Sequence, residues 1–469
     1  MDYNLNFSKF SVAMSDDINN VLLTHLSRKD GQEDLCFALY NPSSGQTRFT
    51  GIIEEVLLPL EEEREVHGNV SFLPSYYERV LFDAMKKKKG IALLHSHPLA
   101  STWQMMSDDD FEAENGISKS IFAATKLPLI GMTLSVQTGF WSGRVWHKTS
   151  TSNNFQFKNC ENIRVLGQKI KFHFCPKIKN SPEIPESLKR TLHSWGKDVQ
   201  SDIARVRVGI VGLGSVGSLV LECLARTGFT EVKLFDFDHI KQHNLDRTLH
   251  AYQNDVDNKE PKVKIATQAS IKSATMKIFK VLPISKGIQN PTAYLEALDC
   301  DIIFSCVDRP WGRSILNFIT KAHLIPCIDG GIGAFRKKTG QLRTAEWGVH
   351  SVLTESRCLE CLQQFQSSDI ALERDGLLDD PSYIESLPED SPYKRNENVF
   401  LFSMALASDM VLEAIKSFGN ISGRAPSNRK RFIYPHSIIE NEIKLSCNEN
   451  CSFNELKGLG DSAGHPGTE

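Results

Sequence analysis

The sequence predicts an α/β protein with two domains, an α+β domain first and a doubly wound, mostly parallel sheet second. The chain has 469 residues, which at about 150 residues per domain is too long for a single core. Strand-like and helix-like segments alternate in both halves. The polar, Pro-containing stretch 151–186 lies between them and predicts a linker or a short bridging segment.

The first domain is expected over residues 1–150. Apolar runs bounded by turn-forming residues predict its strands, and a longer amphipathic run predicts a helix. In chain order these are the strands 33–40 and 47–58, the helix YYERVLFDAM, the buried strand 91–95, and the strands LIGMTLSVQ and GFWSGRVWH.

The second domain is expected over residues 187–452. Strands separated by helices predict a parallel sheet with helices on both faces. The predicted elements are a strand at 205–211, a helix at 215–227, and strands at 231–237, 276–282, 301–307 and 326–329. Residues 453–469 are small and polar and predict a flexible tail.

Composition excludes several classes of protein. Hydrophobic residues make up 41% and charged residues 24%, as in soluble globular proteins, and a net charge of -3 gives no basic surface for nucleic acid or an acidic membrane. No apolar run approaches the roughly 18 residues of a membrane helix, and the first residues lack a signal-peptide pattern. Eleven scattered cysteines argue against a secreted disulfide framework, so we expect a cytoplasmic protein.

The segment HSHPLASTWQMMSDDD predicts a metal site in the first domain. His95 and His97 lie two residues apart on a strand, so both side chains face the same side and can share one ion. A carboxylate from the following helix can supply a third ligand, which leaves the open fourth position of a catalytic zinc. Such chemistry also needs a general base, and Glu33 at the start of the first strand is the candidate.

HxHP followed by SxxD, with an upstream Glu before a short apolar strand, resembles the JAMM (JAB/MPN) metalloproteases over roughly residues 1–150. The resemblance implies zinc-dependent cleavage of isopeptide or peptide bonds at the C-terminus of ubiquitin or ubiquitin-like proteins. It also implies that His95, His97 and Asp110 bind zinc. By the same resemblance Glu33 is the base, and Ser107 steadies the tetrahedral intermediate.

Two departures from the family pattern leave alternatives open. Eight residues separate Pro98 from Ser107, slightly more than usual, and the glycine that often follows the catalytic Glu is absent. The alternatives are Glu54 and Glu55 for the base, and Asp108 and Asp109 for the third ligand. An MPN scaffold without its metal is the other interpretation of this domain.

The turn GLGSVG predicts a nucleotide site in the second domain. It follows a strand and opens a helix, where glycines let the backbone approach a phosphate and the helix N-terminus favours negative charge. Its candidate binding residues are Gly212, Gly214, Ser215 and Gly217. Asp236 ends the next strand, about 20 residues on, where an acidic side chain binds ribose hydroxyls. These features alone fit NAD as well as ATP, so an NAD-binding oxidoreductase is the alternative.

Polar residues further along favour a triphosphate. Basic groups next to acidic ones at strand ends suit ATP with Mg²⁺ better than they suit a nicotinamide. The residues concerned are Asp238, Asn244, Arg247, Lys262 and Asp308.

This combination resembles the ThiF/MoeB superfamily of ubiquitin-activating-enzyme-like adenylyltransferases, over residues 187–447. The resemblance implies that Asp236 holds the ribose, that Arg247 and Lys262 hold phosphates, and that Asp308 coordinates Mg²⁺. Arg190 matches the arginine that reaches into the partner subunit's site, which implies a homodimer.

Four late cysteines predict a structural zinc site. Cys358 and Cys361 form a CxxC pair, Cys447 and Cys451 form a CxxxC pair, and four thiolates can close a tetrahedral site. Relatives in the superfamily carry two CxxC pairs, so the wider second pair is a departure. Ubiquitin-activating enzymes carry a thioester-forming cysteine after the first pair. None lies between Cys361 and Cys447, so the sequence predicts adenylation without a thioester.

Together the resemblances imply a bifunctional enzyme that acts on a small β-grasp protein, either a ubiquitin-like protein or a sulfur carrier. One domain would cleave after its C-terminal glycine, and the other would adenylate the freed carboxylate. A conjugating enzyme or a sulfur donor would be a further partner. The alternative is an inactive MPN scaffold fused to an adenylyltransferase of sulfur-carrier (molybdopterin- or thiamine-like) biosynthesis.

Overall fold

The structure is a computed structural model, and its contacts divide the chain into two compact units. Unit 1 comprises Met1–Asn180, Ala322–Leu324 and Lys457–Gly464, and unit 2 comprises Ser181–Lys321, Ile325–Leu456 and His465–Glu469. The residues described are 7–67, 69–148, 155–337, 339, 341–388, 391–394, 398–418, 424–443 and 446–467.

Unit 1 is built on a mixed sheet. Its strands are β1 (Lys9–Ser15), β2 (Leu35–Ser44), β3 (Arg48–Leu57), β4 (Arg64–His67), β5 (Asn69–Phe72), β6 (Gly90–His97), β7 (Leu129–Ser135), β8 (Phe140–Lys148), β9 (Phe155–Asn159), β10 (Asn162–Leu166) and β11 (Ile170–Phe174). Its helices are α1 (Asp16–Leu26), α2 (Pro74–Lys87) and α3 (Asp108–Thr125). Within the described residues, nine strands form one sheet in the order β11-β10-β1-β3-β2-β6-β7-β8-β9, and β4 pairs with β5 separately.

The central strands of this sheet are buried on both faces. Successive side chains of a strand point to opposite faces, and β2 shows this directly. Cys36 and Ala38 join the core on one face, whereas Phe37 and Leu39 join the core on the other. The next strand of the sheet, β6, is buried from Gly90 to Ser96 and brings two histidines to its end.

Residues 155–174 do not form the predicted linker, because they supply three strands of the sheet. β10 pairs in parallel with β1, and β9 pairs with β8. Every second residue of β9 is exposed, so its polar residues gave this part of the chain the composition of a linker. Residues 151–154 lie outside the described part of the chain.

Residues 457–464 pack within unit 1 and do not form a flexible tail. The backbone N–H of Ser44 donates to Asp461 Oδ1 at 3.1 Å. Gly460 has φ +51°, and a Cβ there would lie 2.2 Å from the carbonyl oxygen of Pro42, so only glycine fits. The small residues that predicted flexibility are the ones that permit this close approach. The final two residues of the predicted tail are not among those described.

Unit 2 has a second sheet. Its strands are β12 (Arg207–Val211), β13 (Glu231–Phe235), β14 (Lys280–Ile284), β15 (Ile302–Ser305), β16 (Cys327–Arg336), β17 (Leu342–Val352), β18 (Arg429–Tyr434) and β19 (Ile438–Glu442). Its helices are α4 (Lys189–Trp195), α5 (Lys197–Ile203), α6 (Ser215–Thr227), α7 (Gln253–Asp257), α8 (Lys262–Ser273), α9 (Pro291–Leu298), α10 (Pro310–Ala322), α11 (Ser367–Arg374), α12 (Pro381–Ser386), α13 (Phe400–Ser417) and α14 (Ser452–Glu455).

The strand order of unit 2 creates a switch point between β12 and β15. The order is β14-β13-β12-β15-β16-β17-β18-β19, and β12 pairs in parallel with both β13 and β15. In such sheets, ligands bind at the carboxyl ends of the strands beside this reversal. The parallel part was predicted. The antiparallel extension β17 to β19 was not predicted.

Within the described part of the chain, none of the helices combines the length and hydropathy that a bilayer crossing requires.

Candidate functional site

The glycine-rich turn of unit 2 lies at the switch point, directly after β12. Gly212 has φ +90°, and a Cβ there would lie 2.5 Å from the carbonyl oxygen of Cys306, which follows β15. A Cβ at Gly217 would lie 1.9 Å from the carbonyl oxygen of Gly212. Glycine is therefore required at both positions. The turn leads through Gly214 into Ser215, where α6 begins, and a helix N-terminus favours an anion.

Asp236 holds the turn in place from the end of β13. Its Oδ2 accepts a hydrogen bond from the Leu213 N–H at 2.6 Å, and its Oδ1 accepts one from the Asp238 N–H at 2.8 Å. Burial raises the pKa of this carboxyl, and the nearby charge of Lys262 opposes the effect. Asp236 therefore shapes the turn, in addition to any contact with a ribose.

The other predicted nucleotide residues follow β13 along the chain. Lys262 Nζ lies 2.7 Å from Asp238 Oδ2, and Arg247 Nη1 lies 2.9 Å from Asp246 Oδ1. Asn244 Oδ1 accepts from the Lys241 N–H at 3.1 Å. Both basic residues thus pair with carboxylates, which a phosphate group could replace.

Asp308 follows β15, the other strand of the switch point, and is exposed. Sequence reasoning missed Glu373, which lies close enough for Asp308 to influence its carboxyl group. Glu373 Oε2 accepts a hydrogen bond from the Trp311 N–H, in the first turn of α10, at 2.8 Å. Burial raises the pKa of Glu373, and the charge of Asp308 adds to this. Glu373 carries no motif and lies far along the chain, so only the fold reveals it. Arg190 lies exposed on α4.

A second group that sequence reasoning missed joins the turn to α13. Ser215 Oγ donates to Ser403 Oγ at 2.5 Å, and Ser403 Oγ donates to Asn398 Oδ1 at 3.1 Å. Ser403 is fully buried.

The four late cysteines lie together in unit 2. All four sulfur atoms are within 4.8 Å of one another. The Cys358 N–H donates to Cys447 Sγ at 3.2 Å, the Cys361 N–H lies 3.5 Å from Cys358 Sγ, and Cys358 Sγ is 3.6 Å from Cys451 Sγ. Four sulfur donors with backbone N–H groups directed at them fit a structural zinc ion.

Unit 1 brings the predicted metal ligands together at the end of β6. His95 Nε2 lies 3.2 Å from His97 Nε2 and 3.1 Å from Asp110 Oδ1, and His97 Nε2 lies 3.8 Å from Asp110 Oδ2. Glu33 Oε1 is 4.0 Å from His97 Nε2. Glu33 and His97 line a cleft of about 460 Å³ that is also lined by Leu99. Two imidazoles and one carboxylate form a donor set that fits zinc with an open position.

Burial influences the ionisation of this cluster. It raises the pKa of Glu33 and lowers the pKa of His97. Burial also opposes ionisation of Asp110, but hydrogen bonds with His95 and Ser107 outweigh it, so the pKa of Asp110 is lowered. Asp110 therefore stays ionised, and His97 favours its neutral form, as metal ligands must.

Ser107 and the alternative residues have other observed contacts. Ser107 is the N-cap of α3: its Oγ accepts from the Asp110 N–H at 3.1 Å, and its N–H donates to Asp110 Oδ2 at 2.9 Å. Glu54 and Glu55 pair with lysines at the end of α2, at 2.7 and 2.6 Å, away from the histidines. Asp108 and Asp109 are exposed at the start of α3.

Buried residues that sequence reasoning missed contact the histidine cluster from the core of unit 1. Thr133 Oγ1 lies 3.4 Å from His95 Nε2 and accepts from Arg144 Nη1 at 2.9 Å. Arg144 also binds both carboxylate oxygens of Glu114. Each of these three side chains belongs to an otherwise apolar core, and no spacing rule connects them.

A glycine-rich turn at the switch point of a doubly wound sheet, clamped by Asp236, defines unit 2 as a nucleotide-binding α/β domain. A sequence profile of the ThiF family matches residues 187–453. The chain belongs to the ThiF family.

Individual relatives match parts of this region. The chain is 28% identical over 187 residues to the NEDD8-activating enzyme E1 catalytic subunit of Schizosaccharomyces pombe, a match that covers 39% of this chain and 36% of that protein. It is 29% identical over 140 residues to the molybdopterin-synthase adenylyltransferase of Escherichia coli, which covers 30% and 54%. The chain thus spans about a third to a half of these curated relatives. The crystal structure of E. coli MccB matches with 21% identity and a TM-score of 0.44, over 60% of this chain and 75% of that one.

Proposed function

We propose that unit 2 adenylates the C-terminal carboxylate of a small β-grasp protein, either a ubiquitin-like protein or a sulfur carrier. A carboxylate oxygen would form a bond to the α-phosphorus of ATP, and the bond to the departing pyrophosphate would break. Family membership supports this reaction, and the observation that carries it is the glycine turn at the switch point, packed against the main chain of Cys306 two residues before Asp308. The NAD-binding alternative would leave the paired Lys262 and Arg247 without a role.

The chain's own residues have distinct tasks in this proposal. The α6 N-terminus receives phosphate oxygens at Ser215, and Asp236 fixes the turn and faces the ribose. Lys262 and Arg247 exchange their carboxylate partners for phosphates. Mg²⁺ held at Asp308 would supply neutralisation of phosphate charge. In a homodimer, Arg190 would complete the site of the second copy.

The test is ATP–pyrophosphate exchange with small β-grasp proteins as acceptors. Exchange should depend on the acceptor's free C-terminal carboxylate and should be lost in Asp308→Ala. Exchange with the carrier lacking its last glycine, or undiminished exchange in Asp308→Ala, would contradict the proposal. Lys272→Met, an exposed change on α8, is the matched control.

A second function is proposed for unit 1: hydrolysis of a peptide or isopeptide bond after the C-terminal glycine of the same carrier. The cluster of His95, His97 and Asp110 beside Glu33 favours it. A bound zinc ion would supply Lewis acidity there. Glu33, whose pKa is raised by burial, would accept a proton from water and pass it to the leaving amine. The alternative is a metal-free scaffold.

Two variants separate catalysis from metal binding. Glu33→Gln should abolish cleavage of a carrier fusion and keep its zinc, because the base is not a ligand, whereas His97→Ala should lose both. Metal content is measured on the same samples. Purified protein with zinc at both proposed centres but no cleavage of any carrier fusion would exclude the peptidase, and purified protein with zinc at the four cysteines alone would favour the scaffold.

A further inference from the structure

Helix α10 carries three polar side chains on one face. Arg313, Asn317 and Lys321 are spaced by four residues, so they lie above one another along the helix. Asn317 and Lys321 are fully buried, and the Arg313 side chain is 15% exposed. Buried polar groups at this spacing require partners along one neighbouring segment.

That segment is the stretch 354–364 around the CxxC pair, and each side chain contacts its main chain. Lys321 Nζ donates to the carbonyls of Thr354 at 3.1 Å and Ser356 at 2.7 Å. Asn317 Oδ1 accepts from the N–H of Leu359, inside the CxxC, at 2.9 Å. These contacts fasten the metal-binding turn to the helix.

Arg313, the third side chain of this face, contacts the main chain just after the CxxC pair and also contacts the parallel sheet. Its Nη1 lies 3.5 Å from the carbonyl oxygen of Gln364, and its Nε donates to Asp329 Oδ1 at 3.1 Å. Asp329 is fully buried and accepts from Ser305 Oγ, at the end of β15, at 2.6 Å. Asp308 follows β15 and precedes the first residue of α10 by two positions. One helix therefore begins beside the nucleotide site and ends beside the four cysteines.

Lys321 also lies where a metal centre of four thiolates would need a cation. Zinc with four thiolates carries two net negative charges, and a buried ammonium nearby stabilises them. The Ser356 carbonyl that accepts from Lys321 lies 3.9 Å from Cys447 Sγ.

We propose that α10 couples the four-cysteine centre to the nucleotide site, so that a metal-loaded CxxC segment sets the position of Asp308 and the affinity for MgATP. The inference rests on the proposed adenylation. It assigns Lys321 and Asn317 as positioning residues that touch neither nucleotide nor metal.

The first experiment measures zinc release from the full chain to a chromogenic chelator, with every protein carrying His97→Ala so that only the four-cysteine centre holds zinc. Lys321→Met keeps the length of the side chain and removes its charge. Release should be about tenfold faster than from the wild type or from the control Lys272→Met, the size of effect typical for groups that support metal ligands. Release at the wild-type rate would overturn the role of Lys321.

The second experiment measures MgATP binding by calorimetry, without any carrier. Zinc-depleted protein, shown to be folded by near-ultraviolet circular dichroism, should bind MgATP about fivefold or more weakly, and added zinc should restore the affinity. An equal Kd with and without zinc would overturn the coupling. Absence of MgATP binding in every form would instead refute the proposed adenylation.

Depletion of zinc could unfold the protein. The comparison then uses Lys321→Met and Lys272→Met at full zinc occupancy. A higher Kd for MgATP in Lys321→Met than in Lys272→Met supports the coupling, and equal Kd values in the two variants overturn it.

Discussion

Asp34 and Ser96 bind each other reciprocally: the Asp34 N–H donates to Ser96 Oγ at 3.0 Å, and the Ser96 N–H donates to the Asp34 carbonyl at 3.0 Å. Ser96 stands between the two histidines, and Asp34 directly follows Glu33. The Asp34 side chain is itself held by Arg64 Nε, at 2.8 Å from Oδ1. The distance between the proposed base and the metal ligands is therefore set by this pair.

Ser96→Ala should weaken the proposed peptidase while zinc remains bound. The change leaves the buried Asp34 N–H without its side-chain acceptor, which costs about 1–3 kcal/mol of stability. A lower kcat with an unchanged zinc content is expected, measured on a carrier fusion. Ser120→Ala, on the exposed face of α3, is the control, and equal kcat values for the two variants would contradict the prediction.

Glu114→Gln should destabilise unit 1 strongly. Both Glu114 and the Arg144 side chain are almost fully buried, and Trp146 Nε1 also donates to Glu114 at 2.6 Å. Removing one partner of a buried pair leaves an uncompensated charge and costs about 3–5 kcal/mol. Hydrogen–deuterium exchange of β7 and β8 measures the loss. Glu112→Gln is the exposed control, and similar protection in both variants would show that the pair contributes little.

Asp461→Asn should stabilise the docked segment 457–464 at neutral pH. Burial raises the pKa of Asp461 in the folded protein above its ordinary value. Above the raised pKa the folded state carries a costly buried charge, whereas below the ordinary value of about 3.9 the carboxyl is protonated in both states. The advantage of Asn should therefore be full at pH 8 and shrink as the pH falls toward 4. Hydrogen-exchange rates of the backbone amides of the segment, compared between Asp461→Asn and the wild type across this pH range, measure the advantage. A difference that does not depend on pH would be inconsistent with the raised pKa of Asp461.

Mixing Arg190→Ala with Asp308→Ala should restore part of the pyrophosphate exchange that each variant lacks. In the proposed homodimer, one of the two heterodimer sites keeps both residues. Subunit exchange is monitored in parallel by native mass spectrometry. If subunits exchange and no activity returns, Arg190 does not act across the interface.

Incubation with ATP, Mg²⁺ and the carrier should yield carrier adenylate and no thiol-sensitive adduct with the enzyme. Cys160 and Cys175 are buried, and burial raises the pKa of both thiols and of Cys306, so few thiolates exist at neutral pH. Intact mass under non-reducing conditions is the measurement. An adduct of enzyme plus carrier minus water would contradict the prediction, and Cys306 beside the glycine turn would be examined first.

Local sequence patterns predicted much of the fold. The alternation of strands and helices in unit 2 predicted a parallel sheet because each element is amphipathic or apolar over its own length. The glycines at 212 and 217 were informative because their backbone leaves no room for a Cβ. His95 and His97 share a face by strand geometry alone, so their proximity could be expected.

Contacts between distant residues could not be predicted. Asn41 Nδ2 donates to the carbonyl of Gly458 at 3.0 Å, across 417 positions in the chain. The pairing of Arg144 with Glu114, and of Lys321 with the main chain at Ser356, likewise depends on which elements the fold brings together. Polar residues in such places look like ordinary surface residues in a sequence, because burial is a property of the tertiary structure.

The segment 457–464 is the last part of unit 1 to be synthesised. A ribosome synthesises residues 181–456 before it reaches this segment, so the contacts at Ser44 and Gly458 form only after that part of the chain has been made. A nascent chain that stops before residue 457 therefore carries an incomplete unit 1. Contacts of such high sequence separation also form slowly. Any proteolytic activity of unit 1 would thus mature late, after residues 181–456 have been synthesised.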